Sequence, residues 1–375
     1  MTLGRDKIRF LHTPTPLHRL DRISADLGVE FYMKRDDLTD FGTGGNKLRK
    51  LEYFLKDALD QNATMILTVG GAQTNHGRLT AAVCAKYGLK SAIVAVDPYP
   101  GEISANLLLD GIMDCHVYLV QKLDGQDEGQ LLQEAVDRVT KEWEDRGERV
   151  YYIPMGGSNE LGALGYYDCA LELAEQVREM GLAGDATGPN GTDPGAAGPN
   201  GMDPGAAGPN GTDPDAACPR VLTTVGSMGT YIGLATALAN EDLPMRLTGI
   251  GVLPYRDIRR SVAKYYVRVQ AAYGLKKEMG PEDFDVTSDY DYGAYNNPVK
   301  DVREAIYYMG RMEGIILDPC YTGKTFNAYL RMLREGKIAQ GETVIMLHTG
   351  GLPGIYTAHH RVEMENELLE HIHIL

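Results

Sequence analysis

Apolar residues in this chain come in short runs rich in β-branched side chains, and helical segments follow them. The clearest runs cover 65–69, 150–154 and 220–225, and each ends in a glycine-rich turn before the next helix. Strands that alternate with helices in this way are typical of parallel sheets covered by helices. The pattern therefore predicts an α/β protein whose glycine-rich turns lie at the carboxyl ends of strands, the edge where ligands bind.

One segment departs from this pattern. From Gly188 the decapeptide GPNGTDPGAA recurs at Gly198 and at Gly208, with one change in each later copy. Pro, Gly, Asn-Gly and Asp-Pro favour turns and cannot build a hydrophobic core. We interpret 184–219 as a disordered surface insertion between a helix and a strand, with a docking function as the alternative.

Composition narrows the class of partner. The 375 residues carry a net charge of -15, which argues against nucleic acid or an anionic membrane and favours a small-molecule substrate. No apolar run approaches the roughly 20 residues that span a bilayer, and the first residues lack the apolar core of a secretory signal. We therefore expect a cytoplasmic protein. The five cysteines show no metal-binding spacing, and no metal site is predicted.

Lys47 is the first candidate for chemistry, because it follows the glycine-rich loop Gly-Thr-Gly-Gly-Asn and precedes an amphipathic helix. An enclosed lysine loses its proton readily and can then form a Schiff base. The alternative is an ordinary solvated lysine at a helix start. The loop is not a P-loop, because Leu48 stands where Ser or Thr is needed, and it lacks the third glycine of the dinucleotide motif.

Two further glycine-rich loops each join a strand to a helix. In GGAQTNHG (70–77), loop amides with Gln73, Thr74 and Asn75 can converge on a carboxylate, although Thr74 or Asn75 could simply cap the helix. In TVGSMGTYIG (224–233), glycines and hydroxyls at a helix N-terminus can form a phosphate cradle, although tight packing of helix on sheet would also need glycines.

Hydroxyl groups also mark the two loops nearest the C-terminus. Tyr321 and Thr322 follow an apolar run, and Thr349 ends the last strong strand. Each could instead be a core or capping residue. The histidine pairs 359–360 and 371–373 show no partner ligands, and we interpret them as solvated tail residues.

A lysine amine, a phosphate cradle, a carboxylate-binding loop and hydroxyls on one sheet edge describe a pyridoxal phosphate site. The chain resembles the D-cysteine desulfhydrase / 1-aminocyclopropane-1-carboxylate deaminase family of fold type II pyridoxal phosphate enzymes. The resemblance rests on five blocks in order: KRDDLTDFGTGGNKLRKLEY, GGAQTNHGRLTAAVCAKYGLK, GSMGTYIGL, EGIILDPCYTGK and LHTGGLPG. Apart from the decapeptide insertion it covers nearly the whole chain.

Carried over by position, the resemblance implies a role for each motif. Lys47 would form a Schiff base with pyridoxal 5'-phosphate and later move the substrate's Cα proton. Asn75 would hydrogen-bond the cofactor's phenolic oxygen. The residues expected at the substrate carboxylate are Gln73, Thr74 and Asn75, although many relatives have serine in place of Thr74. Those expected at the phosphate are Gly226, Ser227, Gly229 and Thr230. Tyr292 and Tyr321 are the catalytic tyrosines expected to face the substrate. Extra residues, 294–297, follow Tyr292 in this chain.

One sequence position, that of Thr322, bears on which of the family's reactions is expected. In the deaminases of the family a glutamate follows the tyrosine and contacts the pyridine nitrogen, whereas this chain has Thr322 there and Thr349 as the second cofactor-binding threonine. A hydroxyl makes the ring a weaker electron sink. This favours D-cysteine desulfhydration by β-elimination over opening of a carbon ring. The alternatives are 1-aminocyclopropane-1-carboxylate deamination, a related lyase such as one acting on cysteate, and a non-catalytic cofactor-binding protein.

The resemblance also implies the architecture, with two domains that each contain an open, mostly parallel sheet flanked by helices. The large domain would comprise 1–48 and 161–375, and a small domain of 49–160 would be inserted between them. The cofactor would lie in the cleft, and closure of the small domain on the substrate is expected. A homodimer is expected on the same ground.

Overall fold

The strands of this protein form two sheets. The computed structural model describes residues 1–96, 102–182 and 218–373, so the predicted insertion 184–219 lies outside the described residues except for its last two positions. The larger sheet runs in the order β1, β2, β10, β7, β8, β9, and only β1 is antiparallel to its neighbour. Its strands are β1 (Leu17–Arg19), β2 (Glu30–Arg35), β7 (Arg220–Val225), β8 (Arg246–Gly251), β9 (Val286–Thr287) and β10 (Thr343–His348).

The smaller sheet is parallel throughout and runs in the order β5, β4, β3, β6. Its strands are β3 (Met65–Gly71), β4 (Lys90–Val96), β5 (His116–Val120) and β6 (Val150–Ile153). All four lie within 49–160, and the described strands of the larger sheet lie outside that range. The predicted α/β class with mostly parallel sheets is confirmed, while the domain boundaries themselves stay a prediction.

Helices cover both sheets. They are α1 (Asp21–Leu27), α2 (Lys47–Asp60), α3 (Asn75–Tyr87), α4 (Ala105–Ile112), α5 (Glu128–Asp145), α6 (Glu160–Glu179), α7 (Gly229–Glu241), α8 (Ile258–Tyr273), α9 (Lys300–Glu313), α10 (Thr322–Arg334) and α11 (Ala358–Leu368). The three strand-turn-helix units predicted from the apolar pattern are present as β3-α3, β6-α6 and β7-α7. In the part of the chain that the structure describes, no helix is long and apolar enough to cross a membrane.

The larger sheet buries its apolar side chains against α9 and α10, where Phe31 and Met33 of β2 pack with Phe326 and Tyr329. Val344 and Met346 of β10 extend the same core. Burial of side chains of this size contributes roughly 1.5–3 kcal/mol each. This core holds the strand ends of the larger sheet in fixed positions.

Close packing of three helices brings the two candidate loops together. A Cβ on Gly165 of α6 would lie 2.5 Å from the backbone of Arg49 in α2, and one on Gly233 of α7 would lie 2.3 Å from the carbonyl oxygen of Ala163 in α6. Only glycine permits such approach. The start of α2, with Lys47, therefore lies beside the start of α7.

Candidate active site

A cavity of about 290 Å³ lies where the carboxyl ends of strands from both sheets meet. Gly71 at the end of β3 and Thr224 near the end of β7 form parts of its wall. Eight of the residues singled out from the sequence line this cavity: Lys47, Thr74, Asn75, Gly226, Ser227, Thr230, Tyr321 and Thr349. Their motifs are up to about 300 positions apart in the chain, and the fold places them on one surface.

Lys47 is the first residue of α2 and is half-buried in the cavity wall. Its Nζ donates a hydrogen bond to Asn46 Oδ1 at 3.0 Å. Burial, and then the charge of Arg78, lower the pKa of Lys47 to about 8, although Asp318 opposes the shift. A substantial fraction of this amine is therefore neutral and nucleophilic near physiological pH.

The glycines before Lys47 are needed for the shape of the loop. Gly44 has φ 72°, and a Cβ there would lie 2.1 Å from the carbonyl oxygen of Asp37. At the end of the loop, the Asn46 amide N–H donates to Thr349 O at 3.1 Å, and Asn46 Nδ2 donates to Thr230 Oγ1 at 2.9 Å. Asn46 therefore fixes Lys47 relative to both β10 and α7.

The loop predicted to bind phosphate lies at the start of α7. Met228 has φ 67° and Gly229 begins the helix, so the loop amides turn toward the helix N-terminus. The Ser227 hydroxyl accepts a hydrogen bond from Ser158 Oγ at 2.7 Å. Hydroxyls and free amides at the positive end of a helix dipole bind anions.

Lys50 is a buried amine beside this loop that the sequence pattern did not single out. It is fully buried, and its Nζ would lie 2.7 Å from a Cβ on Gly229. It donates to Gly156 O at 3.1 Å and forms no ion pair among the described residues. Burial, and then Lys47, lower the pKa of Lys50 well below its usual value. The signal available in the sequence was its spacing, because a residue three positions after Lys47 shares its helix face.

Thr74 and Gln73 of the 70–77 loop both hydrogen-bond to the start of a helix. Thr74 is the N-cap of α3, since its Oγ1 accepts from Gly77 N at 3.2 Å, which is the capping role left open by the sequence. Gln73 lines an adjoining cavity of about 330 Å³. Its Oε1 accepts from Asn106 N at 2.9 Å and its Nε2 donates to Ser104 O at 3.1 Å. The side chain of Gln73 therefore caps the start of α4, and its role at the substrate carboxylate stays a prediction.

Tyr321 lines both cavities, and its hydroxyl is hydrogen-bonded to that of Tyr295, which lines both as well. Tyr292, expected to face the substrate, lines neither and packs against the core of the larger sheet. The extra residues 294–297 extend the loop, and they place Tyr295 rather than Tyr292 at the cavity. Those residues were the signal in the sequence that the tyrosine position had moved.

Thr322 is fully buried and lines neither cavity. Its Oγ1 donates to Asp318 Oδ1 at 2.7 Å and accepts from Asp318 N at 2.9 Å. The other carboxylate oxygen of Asp318 accepts from the amides of Cys320 and Tyr321, both at 2.9 Å. Thr322 therefore helps Asp318 fix the turn that carries Tyr321, and its hydroxyl is already used in that contact.

The interpretation of His359 and His360 as solvated tail residues is wrong. His360 is fully buried, and its Nε2 lies 2.7 Å from Asn296 Oδ1, while His359 Nε2 lies 2.9 Å from Asn296 O. Both histidines start α11 and hold the loop that carries Tyr295. No local sequence pattern indicates this contact, because it joins segments some 60 positions apart.

Comparison with known protein families shows which family this sequence matches. The sequence model of the family described as "Pyridoxal-phosphate dependent enzyme" matches residues 8–189 and 209–350. Together these ranges cover most of the chain, and the gap between them falls within the decapeptide repeats.

Individual relatives agree with this match. The chain is 36% identical over 353 residues to a D-cysteine desulfhydrase of Yersinia enterocolitica, covering 93% of this chain and 94% of that protein. It is 34% identical over 364 residues to a putative 1-aminocyclopropane-1-carboxylate deaminase of Pyrococcus abyssi, covering 96% of this chain and 94% of that protein. A crystal structure of an ACC deaminase homologue superimposes with a TM-score of 0.77 at 29% identity, covering 98% of this chain and 97% of that one.

Proposed function

Because this chain belongs to the family of pyridoxal-phosphate dependent enzymes, we propose that its reaction is the elimination of sulfide from D-cysteine. The overall conversion takes D-cysteine and water to pyruvate, ammonia and hydrogen sulfide. The protein is an enzyme whose cofactor is pyridoxal 5'-phosphate. The substrate and the roles of individual residues are the proposal.

The residues around the cavity fit that cofactor. Lys50 is a buried amine that forms no ion pair among the described residues, and it stands beside the helix N-terminus at Gly229. A phosphate bound there would supply a negative charge that favours the protonated amine. Lys47 would hold the cofactor covalently, and Asn75 would hydrogen-bond its phenolic oxygen. The residues that would hold the phosphate are Lys50 together with Gly226, Ser227, Gly229 and Thr230.

Bound in this cavity, pyridoxal phosphate supplies an electron sink that makes the Cα proton of an attached amino acid acidic. Lys47, as the neutral amine that its lowered pKa provides, can take that proton and hold it on Nζ. The hydroxyls of Tyr321 and Tyr295 face the same space. Enclosure raises the pKa of the Tyr321 hydroxyl well above its usual value, so this group stays protonated and can donate to a departing sulfur.

Thr322 is the observation that carries the choice of D-cysteine. In the deaminases that the sequence resembles, a glutamate occupies this position and contacts the pyridine nitrogen. Here the Thr322 hydroxyl is hydrogen-bonded to Asp318, and Thr322 lies behind the cavity wall. Without a carboxylate at this position the electron sink is weaker, which suits loss of a good leaving group such as sulfide.

The second candidate is deamination of 1-aminocyclopropane-1-carboxylate. The putative deaminase of Pyrococcus abyssi, at 34% identity, and the structural neighbour described as an ACC deaminase homologue favour it. Both reactions begin with the same cavity and the same lysine. The two candidates differ in the bond that breaks, which the products reveal.

Product analysis on the purified holoenzyme tests the proposal. We expect sulfide and pyruvate in equal amounts from D-cysteine, with much less from L-cysteine. Release of 2-oxobutanoate from 1-aminocyclopropane-1-carboxylate, with D-cysteine left intact, would establish the second candidate instead. The matched control is Lys47→Ala, which should lose turnover of either substrate while keeping the fold.

We further propose that the enzyme acts in the cytoplasm as a homodimer. The support for the dimer is the family resemblance, and the support for the location is that all five cysteines are free, as expected in a reducing compartment. Sedimentation velocity of the purified protein tests the dimer, since a species of twice the mass is expected and a monomer at micromolar concentration contradicts it.

A further inference from the structure

Asn106 joins the two loop residues Gln73 and Asn75. Its Nδ2 donates to Gln73 O at 2.8 Å and to Asn75 Oδ1 at 3.0 Å. Its own backbone N–H donates to Gln73 Oε1 at 2.9 Å. Asn106 is fully buried at the start of α4, and its amide group therefore ties this helix to the turn between β3 and α3.

The polarity of backbone groups fixes every amide in this network. Gln73 O can only accept, so the nitrogen of the Asn106 amide must face it. The same nitrogen then faces Asn75, whose oxygen must therefore point toward Asn106. Arg78, which can only donate, places Nη2 3.4 Å from the same Asn75 oxygen.

One end of Asn75 is consequently left for the cavity. Its oxygen accepts from both Asn106 and Arg78, and among the residues that the structure describes no acceptor bonds its Nδ2. Asn75 lines both cavities. An amide in this orientation presents a donor, and a donor matches an anionic oxygen on a ligand.

We propose that Asn106 is a positioning residue that holds the Asn75 amide with its nitrogen toward the phenolic oxygen of the cofactor. The inference rests on the proposed cofactor site and extends it to a residue that lines neither cavity. Arg78 contributes to the same orientation and also bonds Thr43 Oγ1 at 2.7 Å and Gly44 O at 3.3 Å, in the loop that leads to Lys47. The network thus joins α4 to the loop that carries Asn75 and, through Arg78, to the loop that leads to Lys47.

The orientation has a measurable electrostatic consequence. A donor at the phenolic oxygen stabilises the deprotonated form of the cofactor joined to Lys47, and so lowers the pH at which its visible absorbance band changes. Asn106→Asp replaces the donating nitrogen by an acceptor. Asn75 should then turn its nitrogen toward the new carboxylate and its oxygen toward the cofactor.

The experiment is a spectroscopic pH titration of the holoenzyme in the absence of substrate. We expect the midpoint of the visible band to rise by about one pH unit or more in Asn106→Asp, since one lost charge-assisted hydrogen bond corresponds to a shift of that size. Asn106→Ala removes the constraint without reversing the amide, so a smaller rise is expected. Equilibrium dialysis should show cofactor affinity about tenfold weaker in Asn106→Asp.

Asn327→Asp is the matched control, because Asn327 is buried in α10 and lines neither cavity. It should lose stability without moving the midpoint. An unchanged midpoint in Asn106→Asp overturns the proposal, and if that variant does not fold, an unchanged midpoint in Asn106→Ala does so. A wild type that forms no visible band overturns the cofactor site as well. A wild type that forms the band but leaves D-cysteine intact contradicts only the proposed substrate.

Discussion

Two lysines one helical turn apart show how position decides chemistry at the scale of the residue. Lys47 and Lys50 both lie on the inner face of α2, and burial lowers the pKa of each. Lys47 reaches the cavity and can become a neutral nucleophile. Lys50 lies beside the helix N-terminus at Gly229 and is placed to meet an anion. Burial therefore favours the neutral amine that covalent binding needs at Lys47, whereas at Lys50 a bound anion would be needed to favour the charged form.

The lowered pKa of Lys47 predicts the pH dependence of cofactor binding. Only the neutral amine reacts with the aldehyde of pyridoxal phosphate, so the rate of covalent binding to the apoprotein should rise about tenfold per pH unit and level off near pH 8. An ordinary lysine would level off near pH 10.4. Stopped-flow absorbance measures the rate, with Lys47→Arg as the non-reacting control. A rate that still climbs tenfold between pH 9 and pH 10 contradicts the assignment.

Replacing Lys50 separates phosphate binding from folding. Lys50→Met should weaken binding of pyridoxal phosphate by roughly 10- to 100-fold, because a charge-assisted contact worth about 1.5–3 kcal/mol is lost. Binding of pyridoxal, which has no phosphate, should change little. Lys56→Met is the control on the same helix, since Lys56 is more exposed and pairs with Asp60.

The same substitution should not destabilise the apoprotein. A lysine whose pKa is lower in the folded than in the unfolded state costs stability below the unfolded pKa of about 10.4, and that cost disappears above it. Lys50→Met removes the cost, so the urea midpoint of the apoprotein at pH 7 should stay the same or rise. A large fall would mean that Lys50 is mainly structural.

At the scale of the element, a buried ion network holds α2 in place. Arg49 donates to both carboxylate oxygens of Asp36 at 2.8 Å and to both of Glu172 at 2.9 Å. Burial alone would raise the pKa of Asp36, but the charge and hydrogen bonds of Arg49 hold it below its usual value. The network joins the end of β2, the start of α2 and the middle of α6, and so fixes the helix that carries Lys47.

Arg49→Met should cost about 3–5 kcal/mol of stability, because it leaves a buried carboxylate without its partner. The cost should depend on pH. In the wild type the contribution of Asp36 is present above the unfolded pKa of about 3.9 and lost as pH falls through its lower folded pKa. In the variant the unpaired Asp36 resists ionisation, so the loss should be larger at pH 8 than at pH 5.

Urea unfolding at the two pH values measures this difference. Arg146→Met is the control, because Arg146 and Glu142 form an exposed pair at the C-terminal end of α5, and its removal should change stability by less than about 1 kcal/mol. Equal losses for the two variants would show that the Arg49 network contributes no more than a surface pair.

At the scale of the whole molecule, the site exists because two sheets and distant helices meet at one edge. The family match supports the same view, since it covers 8–189 and 209–350 and leaves out most of two decapeptide repeats. Everything that lines the cavity lies within the matched ranges. The repeats are therefore expected to be dispensable for catalysis.

Deletion of residues 188–207, two of the three decapeptides, tests this expectation. We expect the same turnover with D-cysteine and an unfolding temperature that is unchanged or slightly higher, because shortening a connection lowers its closure entropy by less than about 1 kcal/mol. A loss of activity with an intact fold would instead support the docking alternative for this segment. Thermal unfolding and product assays on the same preparation measure both quantities.

The sequence by itself determined the fold class, the cofactor family and the loops that meet at the site, because apolar periodicity and glycine-rich turns are local features. Only the tertiary structure decided which side chain of each loop faces the cavity. Tyr295 rather than Tyr292 lines the cavity because the loop length changes which residue arrives there. Hydrogen bonds engage the side chain of Gln73 with α4 and that of Thr322 with Asp318. The packing of helices places Lys50 of α2 beside Gly229 of α7. The orientation of a side chain depends on contacts between residues far apart in the chain, and the local sequence pattern does not record those contacts.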